Sequence, residues 1–178
     1  MTGTIAPDAT IHCENREAFL TAFEGVYEHS SWVAEQAFER LPADASCDVE
    51  TLAPLMASIV DAASDEAKLR LLRAHPDLAG RLALSGALTQ SSLNEQKSAG
   101  LDQCSPDELR KFQRLNDAYK HKFGFPFIIA VSGMVRDEIL ANFETRVENK
   151  RETEFETALR EVHKIASIRL AKIFGGQV

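Results

Sequence analysis

Phe125-Pro126-Phe127-Ile128-Ile129-Ala130-Val131 decides the fold class, because it is the one stretch that reads as a strand. It is apolar throughout, and Gly124 and Pro126 keep the backbone around it out of a helix. No second convincing strand exists to pair with it. A lone strand leaves its backbone N–H and C=O groups without partners, so the segment is predicted to run extended into a following helix. The chain is therefore predicted to be all-α, with one extended, Gly/Pro-broken segment near 123–131.

Helical periodicity accounts for the rest. Ser105-Pro106-Asp107-Glu108 is a helix start: a capping Ser, Pro in the first turn, and Glu three residues on. The helix it opens carries Leu109, Phe112, Leu115 and Tyr119. Residues 136–149 and 152–174 are also helical. Phe19, Ala22, Phe23, Val26 and Tyr27 follow one helix face. After a break at His29-Ser30-Ser31 come Trp32, Ala37, Phe38 and Leu41, and then a face of Leu55, Met56, Ile59, Val60 and Ala63. Residues 42–48 form a polar loop between these two. Residues 66–73 are helix-prone and stop before His75-Pro76, because proline disfavours the α conformation in the residue before it. No repeat, low-complexity tract or linker divides the chain. The prediction is one domain over 1–178, a bundle of about seven to nine helices, with 1–14 a loosely ordered N-terminal segment.

A length of 178 residues is enough for a real core. The net charge of −7 argues against a nucleic-acid or anionic-membrane surface. A small anionic substrate then needs a dedicated Arg or Lys. Cys13, Cys47 and Cys104 are odd in number and far apart, and no Cys/His spacing suits a metal. They are expected to be free thiols in a reducing compartment, with no metal site. No apolar run reaches the length of a membrane span. Residues 1–10 lack signal-peptide features and the last three residues are not a peroxisomal signal, so cytoplasm is the expectation.

Four features carry chemistry. His75 precedes Pro76, which bars it from an ordinary helix interior. It reads equally as a helix C-terminal histidine interacting with the last carbonyls, or as an imidazole facing a cleft and trading a proton near neutral pH. Asp77 either orients it or caps the next turn. Ser92-x-x-Glu95 fits a capping box for a helix beginning near Leu93. With Gln96 it also supplies a hydroxyl, a carboxylate and an amide, the groups that read the N–H and C=O edges of a heterocycle or urea. Arg169 falls on the inward phase of the last helix with Phe155, Leu159, Val162, Ala166 and Ile173. A buried Arg either pairs with a buried acid or holds a substrate carboxylate through its planar donors. Residues 123–129 are core by composition, with a non-helical backbone whose polar groups are available to a ligand.

At these residues the chain resembles the 2-oxo-4-hydroxy-4-carboxy-5-ureidoimidazoline (OHCU) decarboxylase family of purine breakdown. The matching blocks are His75-Pro76-Asp77-Leu78-Ala79, Ser92-x-x-Glu95-Gln96, Ala99-Gly100-Leu101, the 123–129 stretch, and the final helix with Ile165 and Arg169. The resemblance covers 19–174. It implies an all-helical decarboxylase without cofactor, often dimeric, that converts OHCU to (S)-allantoin. It implies that His75 and Glu95 are catalytic. It further implies that Pro76, Ser92, Gln96 and Arg169 bind substrate, with backbone contacts around Phe127 and Ile128.

The implied chemistry suits these residue types. The carbon that loses CO2 carries a hydroxyl and sits beside a C=N bond that takes up the departing electrons, so no cofactor sink is required. The enol-like product gains a proton on one face. His75 and Glu95 are expected to act as a coupled acid–base pair. Three other readings stay open at this point: a helical phosphotransfer domain, a protein-binding module, and a decarboxylase of a related ureido acid. Trp32 is a candidate for a subunit interface.

Overall fold

In the computed structural model every regular element among the described residues is helical. These are residues 13, 15–42, 45–80 and 88–175. The predicted loose segment 1–14 lies, Cys13 apart, outside them, as do two residues of the 42–48 loop and the last three of the chain. Eight α-helices are described: α1 (Arg16–Phe23), α2 (Trp32–Arg40), α3 (Val49–Asp61), α4 (Asp65–Arg73), α5 (Gln90–Ser98), α6 (Pro106–Phe123), α7 (Arg136–Arg146) and α8 (Arg151–Ile173). A 3-10 turn, Leu101–Gln103, lies between α5 and α6. None is long and apolar enough to cross a membrane, among the described residues.

Short polar side chains start several of these helices by taking up backbone N–H groups that have no partner inside the helix. Asn15 accepts from Glu17 and Ala18, Asp48 from Thr51, and Ser64 from Ala67. The predicted capping box of α6 is present: Ser105 Oγ accepts from Glu108 N at 3.2 Å, and Ser105 N donates to Glu108 Oε2 at 2.7 Å.

The helices are distributed over two compact units. The first takes the described residues of Met1–Ala62 and Ala166–Val178, hence α1, α2, α3 and the last turns of α8. The second, Ala63–Ile165, takes α4 to α7 and the first part of α8.

In the first unit Phe19 is fully buried and lies 4.7 Å from Phe23 and 5.4 Å from Phe38, ring centre to ring centre. Leu52 and Met56 of α3 complete that core. Val26 and Tyr27, expected on the face of α1, lie beyond its end at Phe23, yet both are buried. Burial, with the Asp61 charge adding to it, pushes the Tyr27 hydroxyl pKa above its ordinary value. Ile173, expected to face inward, is 36% exposed at the end of α8. Cys13 and Cys47 correct a further expectation: they form a disulfide, with Cα atoms 5.9 Å apart, whereas Cys104 is a free thiol.

The second unit is organised around Tyr119 of α6. Its ring packs against Phe123, Phe125, Phe127 and Phe143 at 4.5–5.9 Å between centres. Phe127 stacks on Phe143 at 3.9 Å. All five rings are essentially buried, and each contributes about 1.5–3 kcal/mol of apolar burial. The segment after α6 is neither helix nor strand, as predicted. Gly124 ends α6 in the left-handed conformation (φ 82°), and its carbonyl accepts from Arg73 Nε at 2.8 Å. Neighbouring side chains thus supply what a sheet partner would.

Candidate active site

His75 lies just beyond α4, which ends at Arg73 with Ala74 as its cap. It is 8% exposed. Its Nδ1 is 3.0 Å from the Leu71 carbonyl, one turn back. A carbonyl only accepts, so Nδ1 carries the hydrogen and the lone pair of the neutral ring lies on Nε2. The helix-end reading of this residue is therefore present as a bond, and that bond sets the tautomer of the neutral ring.

The loop after His75 is held from several sides. Asp77 Oδ2 pairs with Lys120 of α6 at 2.6 Å. Asn116 of α6 donates to the Leu78 carbonyl at 2.9 Å. Ala79 is left-handed (φ 47°), a conformation that costs a residue with a Cβ. At Gly80 a Cβ would lie 2.7 Å from that of Asp77, so the tight turn requires glycine.

Gln96 closes the loop from α5. Its Oε1 accepts from Ala79 N at 3.0 Å and its Nε2 donates to the Asp77 carbonyl at 3.2 Å. One N–H and one lone pair of the amide remain for other partners. These bonds place α5 directly against the His75 loop.

The start of α5 corrects the capping-box reading. The helix begins at Gln90, and Thr89 is its cap, with Thr89 Oγ1 accepting from Ser92 N at 3.3 Å. Ser92 is thus in the first turn and Glu95 in the second. At spacings of three and four, Ser92, Glu95 and Gln96 share one face of α5. Ser92 and Gln96 are buried and Glu95 is half-buried. A hydroxyl, a carboxylate and an amide therefore stand on the helix face that packs on the histidine loop. Pro76 is half-buried beside His75, and Phe127 and Ile128 are buried in the segment that follows Gly124. All of these belong to the second unit.

Arg169 belongs to the first unit. It is 5% exposed and its Nη1 pairs with Glu28, 2% exposed, at 2.8 Å. The same nitrogen approaches the carbonyls of Gly25 and Val26 at 3.3 and 3.4 Å. The inward phase seen in the sequence is correct, and a buried acid does accompany the guanidinium.

The sequence alone does not single out Arg73, Asn116, Lys120, Arg146, Glu154 or Glu161, which fix the loop and the 125–131 segment. A signal for two of them exists: Glu154, Ala158, Glu161 and Ile165 fall at spacings of four and three on one buried stripe of α8.

These features define an all-α protein with a buried histidine just beyond a helix end, its loop packed against a helix that carries a hydroxyl, a carboxylate and an amide. A buried histidine beyond the helix end does not suit phosphotransfer, which takes place at a solvated histidine. A model of the OHCU decarboxylase family matches residues 14–171. A 2-oxo-4-hydroxy-4-carboxy-5-ureidoimidazoline decarboxylase of Haloferax volcanii is 45% identical over 161 residues, covering 90% of this chain and 92% of that protein. Among solved structures, an OHCU decarboxylase crystallised in the presence of (S)-allantoin superposes with a TM-score of 0.68 at 28% identity, covering 86% of this chain and 98% of the other. An (S)-allantoin synthase gives 0.67 at 34% identity over 90% of this chain, which spans about half (51%) of that protein. The chain belongs to the OHCU decarboxylase family.

Proposed function

We propose that this protein removes CO2 from OHCU to give (S)-allantoin, a carboxy-lyase step in urate degradation. The observation that carries the reading is the start of α5 at Gln90. It puts Ser92, Glu95 and Gln96 on one face, bonded through Gln96 to the His75 loop. Family membership points the same way.

The mechanism follows from those groups. Gln96 and Ser92 take the N–H and C=O edges of the ring and ureido group, and Pro76 walls the site beside His75. The carbon–carboxylate bond breaks, its electrons form a C=C bond to the neighbouring carbon, and the π pair of that carbon's C=N bond moves onto nitrogen, which takes up a proton from solvent. The hydroxyl loses its proton as the ring carbonyl forms, and the neighbouring carbon gains one on a single face. His75 Nε2 and Glu95 share these two transfers as a coupled pair. Arg169, a buried planar cation, is assigned the anionic group of the substrate. The residues need no cofactor for this, because the substrate is its own electron sink.

The whole chain acts as one functional domain, since the family match runs through both units. We place it in the cytoplasm as a homodimer without a nucleic-acid partner, the last supported by the charge of −7. A solution mass of twice 19.7 kDa checks the dimer.

The test uses fresh OHCU formed in situ from urate, with circular dichroism following the product. One allantoin enantiomer should appear rapidly with the protein. His75→Ala and Glu95→Ala should fold and lose about 10²–10⁴-fold in rate. Slow racemic product, unchanged by the protein, would leave the reading without support.

A further inference from the structure

Residues 126–131 run without helix, turn or bend and are almost wholly buried. Two charged side chains hold this strap by its backbone. Arg146 of α7 donates from Nη1 to the Ile128 carbonyl at 2.8 Å, and Ala130 N donates to Glu161 Oε2 of α8 at 2.9 Å.

Arg146 is itself fixed on every side. Its Nε donates to Glu154 Oε1 at 2.7 Å and its Nη2 to the same oxygen. Its guanidinium lies 4.5 Å over the Phe127 ring. Glu154, fully buried, also accepts from the Tyr119 hydroxyl and from Asn149 Nδ2 at 2.9 Å. Burial first, then the Glu154 carboxylate, raises the Tyr119 pKa above its ordinary value and keeps it a donor. A buried Arg–Glu pair contributes little net stability against an apolar replacement, so its presence calls for another role.

In an extended chain the N–H and C=O of one residue point to the same side, and successive residues alternate. Ile128 and Ala130 therefore turn their polar groups toward Arg146 and Glu161. Phe127 and Ile129 turn theirs to the opposite side. Among the described residues no hydrogen bond reaches the backbone of Phe127 or Ile129, although both side chains are buried. Buried backbone groups without partners are rare.

We infer that Arg146 and Glu161 are positioning residues, which clamp one edge of the strap so that the backbone of Phe127 and Ile129 on the other edge binds the amide-like N–H and C=O groups of the substrate. The contact expected at Ile128 thereby moves to Ile129, whose parity matches Phe127. The inference rests on the decarboxylase reading and adds to it two acidic and basic residues that never touch substrate.

The experiment compares wild type, Glu161→Ala, Glu161→Gln and Arg146→Lys for stereospecific allantoin formation from fresh OHCU, alongside thermal melts. Glu161→Ala should raise KM about tenfold, the worth of one hydrogen bond, with kcat less affected and the melt lowered only by what the lost acceptor of Ala130 N costs. Glu161→Gln keeps an acceptor for Ala130 N and should recover most of the loss. Arg146→Lys keeps a charge for Glu154, but one ammonium cannot also reach Ile128, so its KM should rise as well. A merely structural role would lower the melting temperature and kcat through the active fraction and leave KM unmoved. That result in an active wild-type background overturns the inference alone. A wild type that does not accelerate OHCU decay overturns the decarboxylase reading and the inference with it.

Discussion

Replacing Gln96 by alanine separates a residue that only touches substrate from one that also builds the site. Its amide makes two bonds to the His75 loop, to Ala79 N at 3.0 Å and to the Asp77 carbonyl at 3.2 Å. Ala79 is 8% exposed, so its N–H would lose its acceptor in a place water hardly reaches, at about 1–3 kcal/mol. The Asp77 carbonyl is half-buried and finds water more readily, at about 0.5–1 kcal/mol. The lost methylene adds roughly 0.8 kcal/mol. The variant should thus be less stable by about 2–5 kcal/mol, less whatever the loop recovers by opening. For a chain of this size that lowers the melting temperature by about 5–20 °C. Gln96→Glu keeps the acceptor for Ala79 but sets a carboxylate oxygen against the Asp77 carbonyl, so it should fall between the two. Urea melts give the stabilities, and kcat/KM for fresh OHCU gives the activity. A loosened His75 loop should cost on the order of 10²-fold in rate. If Gln96→Ala melts with wild type and only activity falls, the amide serves substrate alone and the clamp has no energetic reality.

Three further outcomes follow from the geometry. Ala79→Gly relieves a left-handed alanine (φ 47°) and should stabilise by about 0.5–1 kcal/mol once the extra freedom of glycine in the unfolded chain is set against the strain; a lower melting temperature would refute it. Cys13→Ser/Cys47→Ser removes a cross-link between residues 34 apart and should cost the first unit about 3–4 kcal/mol in urea. Thiol titration of the folded wild type should find Cys104 alone before reduction, and three thiols there would refute the bridge. Tyr27 and Tyr119 have raised pKa values in the folded protein, so the fold holds their protons more tightly than the unfolded chain does. The stability they contribute is whole below the unfolded tyrosine value of about 10 and falls as pH rises beyond it. Tyrosinate absorbance from these two should appear together with alkaline unfolding, and ionisation in an intact fold would contradict the burial.

The fold class was legible because its signals are local. The 125–131 segment had no strand to pair with, and the capping box of α6 and the stop before His75-Pro76 depend only on near neighbours. The inward phase of Arg169 was legible for the same reason: a helical wheel needs no tertiary knowledge. What failed needed information from elsewhere in the chain. Ser92-x-x-Glu95 satisfies the capping pattern perfectly well, but Thr89 does so three residues earlier and the helix takes the earlier start. Val26 and Tyr27 keep a helical spacing past the end of α1 because burial in a turn rewards the same apolar residues. The pairing of Cys13 with Cys47, 34 residues apart, and the use of Glu28 to hold Arg169 across 141 positions are long-range facts with no local trace.

At His75, Gln96 and Arg169 the modest reading is present as a bond, and the proposed role depends on that same bond. His75 does satisfy a carbonyl at a helix end, and that bond is what places the basic nitrogen on Nε2. Gln96 does fasten a loop, and only an amide so fastened presents its remaining N–H and lone pair in a fixed direction. Arg169 does pair with a buried acid, and an unpaired guanidinium at 5% exposure would be too costly to keep. A site that binds a small, short-lived substrate gains most of its rate from groups that need not reorganise when it arrives. Such groups have to be held by the fold before binding, so structural bonds at these side chains are a requirement of the chemistry and no argument against it. The clearest consequence is that conservative replacements which keep the structural bond, such as Glu161→Gln, should retain more activity than smaller ones that break it, even at residues that never touch the substrate.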